Sequence, residues 1–178
     1  LIESAGWRPE VFASGPEFLA RPRTVAPSCL VLDVVLPDLS GCELQALVAD
    51  RADLPIIFIS GHGDVPLAVR AMRAGAVDFF LKPVVGDLLL DTIRDAIQRS
   101  SAALGDAAYI RALLACYALL SRREREVMAL VVAGRLNKQV GGELGITEIT
   151  VKSHRGRVMR KMKAGSLPDL VNMAARLR

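Results

Sequence analysis

The chain has 178 residues, enough for one large domain or two small ones, and its 52% apolar content can fill a core in each. No apolar run approaches the roughly 20 residues of a membrane-spanning helix, which excludes such a span, and no basic stretch followed by an apolar segment marks a signal peptide. The net charge of +4 hides a split after Leu104: 9 Lys/Arg against 13 Asp/Glu before it, and 14 against 6 after it, leave −4 and +8. An acidic module is thus joined to one that seeks a polyanion, and nucleic acid is the commonest such partner. Cys29, Cys42 and Cys116 are odd in number, widely spaced and set among apolar residues. They read as buried thiols in a reducing cytoplasm rather than as metal ligands or a disulfide.

The opening LIESAGWRPEVFAS reads as the end of a helix running into a strand, and a start at Leu1 rather than Met points to a missing amino terminus. Short apolar strands then alternate with helical patterns. A strand is expected over 10–13, a helix over 16–21, an apolar run over 29–36 and a helix over 42–49. A second run follows over 55–60, a helix over 65–74 and a strand over 76–81. Continuous apolar strands separated by helices predict a parallel sheet covered on both faces, a doubly wound α/β domain. Residues 87–99 repeat Leu89, Ile93, Ala96 and Ile97 at the spacing of a single helical stripe and close that domain. Ser, Ala and Gly gather over 100–106, which reads as a boundary before a linker helix over 107–120. The expected division is 1–100, 101–118 and 119–178.

Nothing strand-like follows. Ser121 and Glu124 form a capping box ahead of Val127, Leu130 and Val131 on one face. Gly134 is expected to end that helix, and Asn137 to cap a short one over 138–144 that Gly145 ends. Thr147 then caps a long helix reaching about Lys163. Ser166, Pro168 and Asp169 start a fourth, whose Leu167, Leu170, Val171 and Ala174 share a face.

Two short helices joined by a tight turn, the second basic, describe the unit that lays a recognition helix in the major groove. In that helix Val151, Val158 and Met162 face the core. Lys152, Arg155, Arg160 and Lys163 lie opposite, flanked by Arg157 and Lys161, with no acidic residue after Glu148. A merely solvated helix interleaves both signs, and this one does not. The strip predicts phosphate contacts and a steep salt dependence, with Lys152 and Ser153 in the amino-terminal half reaching base edges.

The stretch LLSRREREVMALVVAGRLNKQVGGELGITEITVKSHRGRVMRKMKAGSLPDLV resembles the four-helix DNA-binding domain of the NarL/FixJ (LuxR-type) regulators. REREV, the NK that opens the second helix, TVKSH and the following KM carry the resemblance, in order and at family spacing. It implies an all-α helix-turn-helix domain contacting double-stranded DNA through Asn137, Lys138, Thr150, Lys152, Ser153, His154, Arg155, Arg157, Arg160 and Lys161. Base contacts fall to Lys152 and Ser153. Gly156 stands where the family places a polar or charged residue, which removes a candidate contact and costs the helix about 1 kcal/mol relative to Ala. Gly141 stands where the family usually has Ala, and a small residue there lets two helices cross closely. The fourth helix, through Leu170, either supports dimerisation on DNA or packs the core.

In the head, Asp33 leaves an apolar strand at its carboxyl end, the edge where doubly wound sheets bind ligands. Alone it reads equally as a turn cap or a reactive group. Ser60 closes the next apolar strand and Lys82 closes the last, immediately before Pro83 in a bond that is a candidate for cis. An acid, a hydroxyl and an amine at one edge suit phosphoryl transfer to the carboxylate, with Lys82 pairing the phosphoryl charge and Ser60 donating to its oxygens.

DVVLPDLSG followed by ISGHGDVPLAVRAMRAGAVDFFLKP resembles the receiver domain of two-component response regulators, which is flavodoxin-like. The resemblance implies that Asp33 is the phospho-acceptor, Ser60 the switch hydroxyl, Lys82 the paired lysine and Phe79 the switch aromatic, although Phe79 reads equally as core. Pro37 and Gly41 shape the loop after Asp33. The helix over 65–74 and the strand through Phe79 form a face for a phosphorylation-dependent homodimer. Receivers hold Mg²⁺ with an acidic pair after their first strand, and that strand would precede Leu1. Asp33 and a backbone carbonyl are then the protein ligands left, and the chain as it stands is expected to hold Mg²⁺ poorly and to be phosphorylated slowly, with control by Asp33 expected of the intact receiver.

The whole reads as a cytoplasmic transcription regulator of a two-component phosphorelay, served by a sensor histidine kinase, with RNA polymerase a further partner. A rival is a regulator whose head senses a ligand or partner protein without phosphorylation. An enzymatic, phosphatase-like reading fails on Val35, which occupies the position where such enzymes carry a second Asp as acid/base.

Overall fold

Three short strands build the head of the molecule: β1 (Leu30–Asp33), β2 (Ile56–Ser60) and β3 (Asp78–Leu81). The structure is a computed structural model, and it describes residues 1–61 and 65–177. His62, Gly63 and Asp64 of the head motif therefore lie outside the described residues. The strands pair in parallel in the order β1-β2-β3, with Leu32 beside Phe58 and Phe58 beside Phe79. Helices α1 (Gly15–Ala20), α2 (Gly41–Leu47), α3 (Val65–Arg73) and the first part of α4 (Gly86–Ala118) connect and cover them.

Because side chains alternate along a strand, β2 serves two cores. Ile56 and Phe58 pack with Phe18, Leu32, Leu44 and Ala71 on one face, and Ile57 packs with Phe80, Leu89, Ile93 and Ala96 on the other. Ile57 and Phe58 are fully buried, each worth about 1.5–3 kcal/mol over exposure. The doubly wound α/β expectation holds, and the fold is flavodoxin-like.

One expectation needs correction. Residues 10–13 form no strand, and Val11 is exposed. A cavity of about 950 Å³ is lined by Glu10, Val11 and Phe12 together with Cys29–Asp33. Phe12 packs against the core around Leu32 through its side chain, without a backbone ladder.

The boundary expected over 100–106 is continuous helix: α4 runs 33 residues without a break, and the two compact units divide between Gly105 and Asp106 within it. Helix propagation is cooperative, so one Gly105 in an Ala-rich stretch is tolerated at about 1 kcal/mol. Ser100 is fully buried. Its Oγ donates to the Asp53 carbonyl at 2.5 Å and accepts from the Ser28 amide at 3.0 Å.

The chain divides into two compact units, Leu1–Gly105 and Asp106–Arg178. In the second, α5 (Arg122–Val132), α6 (Asn137–Leu144), α7 (Glu148–Met162) and α8 (Leu167–Arg176) follow the end of α4. Val127, Val131, Val140 and Val151 form one core. Leu113, Leu120, Met128, Val158, Met162, Leu170 and Met173 form another. Leu170 is fully buried there, so of its two readings the packed one describes it.

The caps follow the sequence closely. Ser121 and Glu124 make the capping box, Thr147 Oγ1 accepts from the Thr150 amide at 3.2 Å, and Gly134 and Gly145 take left-handed φ of 82° and 66°. Asn137 is the exception. It is the first helical residue of α6, and the Leu136 amide before it is satisfied by Gln139 Oε1 at 2.8 Å. The helix thus starts one residue earlier than expected, with no side chain among the described residues accepting from its first-turn amides.

Cys29, Cys42 and Cys116 are unpaired, and burial pushes the Cys29 thiol up to about 11, which keeps it protonated. Among the described residues, no helix is long and apolar enough to cross a membrane.

Candidate phosphoryl-acceptor site and nucleic-acid interface

At the carboxyl edge of the sheet, β1 ends on Asp33 and β2 on Ser60, and β3 is followed directly by Lys82. Lys82 Nζ lies 2.6 Å from Asp33 Oδ2, with both side chains partly exposed. The Val35 amide donates to Asp33 Oδ1 at 3.0 Å, so the carboxylate is held by an amide on one oxygen and an ammonium on the other. Partial burial pushes the Asp33 pKa up, but the Lys82 and Val35 hydrogen bonds and the Lys82 charge outweigh it. They hold the group below the usual carboxylate range.

Ser60 is buried, and its carbonyl accepts from the Lys82 amide at 2.8 Å, which fixes where the lysine emerges. The Lys82–Pro83 bond is cis. Phe79 is half-buried and stacks on Phe58, ring centroids 6.2 Å apart, while Phe80 fills the core on the opposite face.

The loop after Asp33 closes on α2 through the Gly41 amide, which donates to the Val34 carbonyl at 2.9 Å. A Cβ on Gly41 would stand 2.7 Å from the Asp33 carbonyl oxygen and 2.9 Å from the Phe58 ring. The role expected of Gly41 thus has a concrete cause: the start of α2 passes against the end of β1 with no room for a methyl group.

Among the described residues, no three His, Cys, Asp or Glu side chains gather as a metal site. Asp33 has one oxygen on Lys82 and the other on the Val35 amide, and among the described residues it belongs to no metal-ligating group. These residues do not fit the oxygen-rich shell of Mg²⁺.

In the tail, α7 presents one polar face. Lys152, Ser153, Gly156, Arg157, Arg160 and Lys163 are exposed, and Val151, Val158 and Met162 are buried. Lys152 Nζ is 3.3 Å from Glu148 Oε1, an exposed pair of small energetic weight. Lys138 is exposed on α6. Asn137 Oδ1 accepts from half-buried Arg155 at 3.4 Å, which ties α6 to α7. Thr150 is half-buried with its hydroxyl 2.9 Å from Thr147 Oγ1. His154 has a buried Nδ1 without a hydrogen-bond partner.

Lys161 sits apart from the strip. Its Nζ donates to Glu124 Oε2 at 2.6 Å and to the Leu119 carbonyl at 3.0 Å. Sequence reasoning saw Glu124 only as a capping residue. Its burial and its pairing with α7 have no local signal, because Lys161 is 37 positions away. At Gly141 the close approach is to the turn after α6, where a Cβ would meet the Ile146 carbonyl at 2.7 Å.

The Lys161 and Ser121 hydrogen bonds lower the Glu124 pKa from 4.5 to about 2. A carboxyl depressed on folding contributes stability above its unfolded pKa that is lost as pH falls through the folded one. Glu124→Gln is therefore expected to lower tail stability at pH 7. It should also flatten the loss that the parent chain shows between pH about 4.5 and about 2. Thermal melts followed through the α5 amide signals at pH 7 and pH 3 check this. Equal losses for parent and variant would refute it.

Two protein families match this architecture. The response regulator receiver domain family covers residues 1–94, and the luxR family of bacterial regulatory proteins covers residues 118–174. The response regulator protein TmoT of Ectopseudomonas mendocina is 45% identical over all of this chain and 81% of its own length. The transcriptional regulatory protein FixJ of Rhizobium meliloti is 44% identical over 98% of the chain and 86% of its own length. The solved structure of the response regulator StyR superposes with a TM-score of 0.83 at 39% identity, covering 98% of this chain and 88% of that one. With a receiver in the head, a LuxR-type helix-turn-helix in the tail and such identity across both, the chain belongs to the response regulators of two-component systems, as a transcription regulator.

Proposed function

We propose that a phosphoryl group on Asp33, supplied by a sensor histidine kinase, controls the grip of the tail on duplex DNA. The 2.6 Å contact of Lys82 Nζ with Asp33 Oδ2 at the carboxyl edge of the sheet carries this reading. Asp33 is a carboxylate at neutral pH, ionised and available as a nucleophile, with Lys82 holding its pKa below the usual range. In the transfer, a carboxylate oxygen forms a bond to phosphorus as the donor's phosphorus–nitrogen bond breaks, and the leaving imidazole takes that electron pair and a proton. Lys82 offsets the incoming negative charge, and the hydroxyl of Ser60 closes the neighbouring strand. The product adds a charge of about −1.5 to −2 at a single edge.

The exposed apolar side chains Val65, Val69 and Met72 of α3 and Leu81 of β3 support a second copy of this chain as the partner of the phosphorylated head. In the tail, α7 enters the major groove and its cations, with Lys138, contact phosphates. Lys161 is left out of that set because Glu124 holds it.

Incubation of the full chain with radiolabelled acetyl phosphate is expected to label the parent and not Asp33→Ala. The donor should raise retention on promoter duplexes only in the parent. If retention ignores both the donor and the substitution, control by phosphorylation fails while DNA binding stands.

A further inference from the structure

Around α7, at about 100° per residue, Ile149, Lys152, Ser153, Gly156, Arg160 and Lys163 fall within an arc of about 100°, with Ile149 near its middle. Val151, Val158 and Met162 lie on the opposite side in the two cores. Ile149 is 79% exposed, in the first turn of the helix that would enter the groove first. Its first-turn neighbours are engaged: Glu148 pairs with Lys152, and Thr150 shares its hydroxyl with Thr147. Gly156, one turn beyond Ser153, has open space where a Cβ would stand. The foremost part of a cationic face therefore carries a branched apolar side chain bonded to nothing in its own fold.

A single exposed isoleucine on a surface is ordinary. One at the centre of the face turned toward a polyanion is not accounted for by phosphate contacts, because it has no charge to offer. In the major groove, one base-edge feature matches it, the C5-methyl group of thymine. Resting on the DNA-binding reading above, we infer that Ile149 is a specificity-determining residue that packs against a thymine methyl group in each half-site, beside the base edges within reach of Lys152 and Ser153. The apolar contact supplies discrimination at a position where Gly156 supplies none.

Deoxyuridine differs from thymidine only by the missing methyl group, so it tests this contact alone. Duplexes are selected from a random-sequence pool by the full chain, and each thymine is then replaced singly by deoxyuridine. At one thymine per half-site, the replacement is expected to weaken binding by the parent about three- to tenfold. Ile149→Ala should bind the thymine duplex weakly to the same degree and show no further loss with deoxyuridine. Its exposure leaves the fold untouched, and alanine favours the helix. If no replacement weakens the parent, or parent and variant lose equally at every thymine, the inference is overturned while DNA binding stands. If the full chain retains no duplex at low salt, the DNA-binding reading itself falls.

Discussion

Raising the salt from about 50 to about 200 mM is expected to weaken duplex binding by the full chain about 10³-fold. Each cation that neutralises a phosphate releases a condensed counterion, and log K falls by about 0.9 per contact for each decade of salt. Lys138, Lys152, Arg157, Arg160 and Lys163 are exposed, and half-buried Arg155 lies between α6 and α7. About six contacts of this kind give a slope of about −5. Lys152 loses little by leaving Glu148, because an exposed ion pair is worth at most about 1 kcal/mol.

Filter retention across a salt series reads the slope directly, and the variants divide by mechanism. Arg160→Ala should reduce the slope by about one without affecting the fold. Lys161→Ala should leave the slope in place and destabilise the tail, since it strands the buried Glu124. A slope shallower than about −2 for the parent, or a loss of slope on removing Lys161, would mean that the exposed face of α7 is not the contact surface.

The second large effect is on stability. Gly41→Ala is expected to destabilise the head by about 2–3 kcal/mol, because the added methyl group meets a strand carbonyl at 2.7 Å and the core ring of Phe58 at 2.9 Å. Neither neighbour is a flexible side-chain tip. The carbonyl belongs to Asp33 itself, so relief of the clash would displace its carboxylate from Lys82 and, if Asp33 takes the phosphoryl group as proposed, slow its labelling as well. Trp7 is the sole tryptophan and packs at the edge of the core around Ile57 and Leu89, so its fluorescence in urea reports the head alone. Gly105→Ala is the control. Nothing lies within 4 Å of its added Cβ, and in the middle of a helix it should stabilise by about 0.5–1 kcal/mol. Equal midpoints for parent and Gly41→Ala would show that α2 can shift without cost.

Much of the functional edge was legible because the relevant signals are local. Apolar runs ending in Asp33, Ser60 and just before Lys82 place three chemically distinct groups at the same end of parallel strands, and the 2.6 Å ion pair follows from that register. Capping residues were legible for the same reason, since Ser121, Thr147 and Ser166 act within three positions of themselves. Local reading failed where two signals competed. Asn137 is a good cap residue by type, yet the helix starts on it, one residue earlier than expected. The Ser-, Ala- and Gly-rich run over 100–106 reads as a boundary by composition, and the two units divide within it, but composition does not show that the helix continues through it. Residues 10–13 have the pattern of a strand, but Phe12 packs through its side chain without a backbone ladder.

By itself the sequence determined the two-domain plan, the doubly wound head, the helix-turn-helix and the place of the cationic strip. All of these follow from periodicity, caps and charge, properties that act over a few residues. Only the tertiary structure decided which groups are already engaged. Lys161 belongs to Glu124, Ser100 pins two loops of the head, Leu170 fills a core, and Gly41 keeps α2 against β1. These depend on contacts between residues tens of positions apart, where burial makes an ion pair, a hydroxyl or the space of one methyl group matter far more than it does in the open chain.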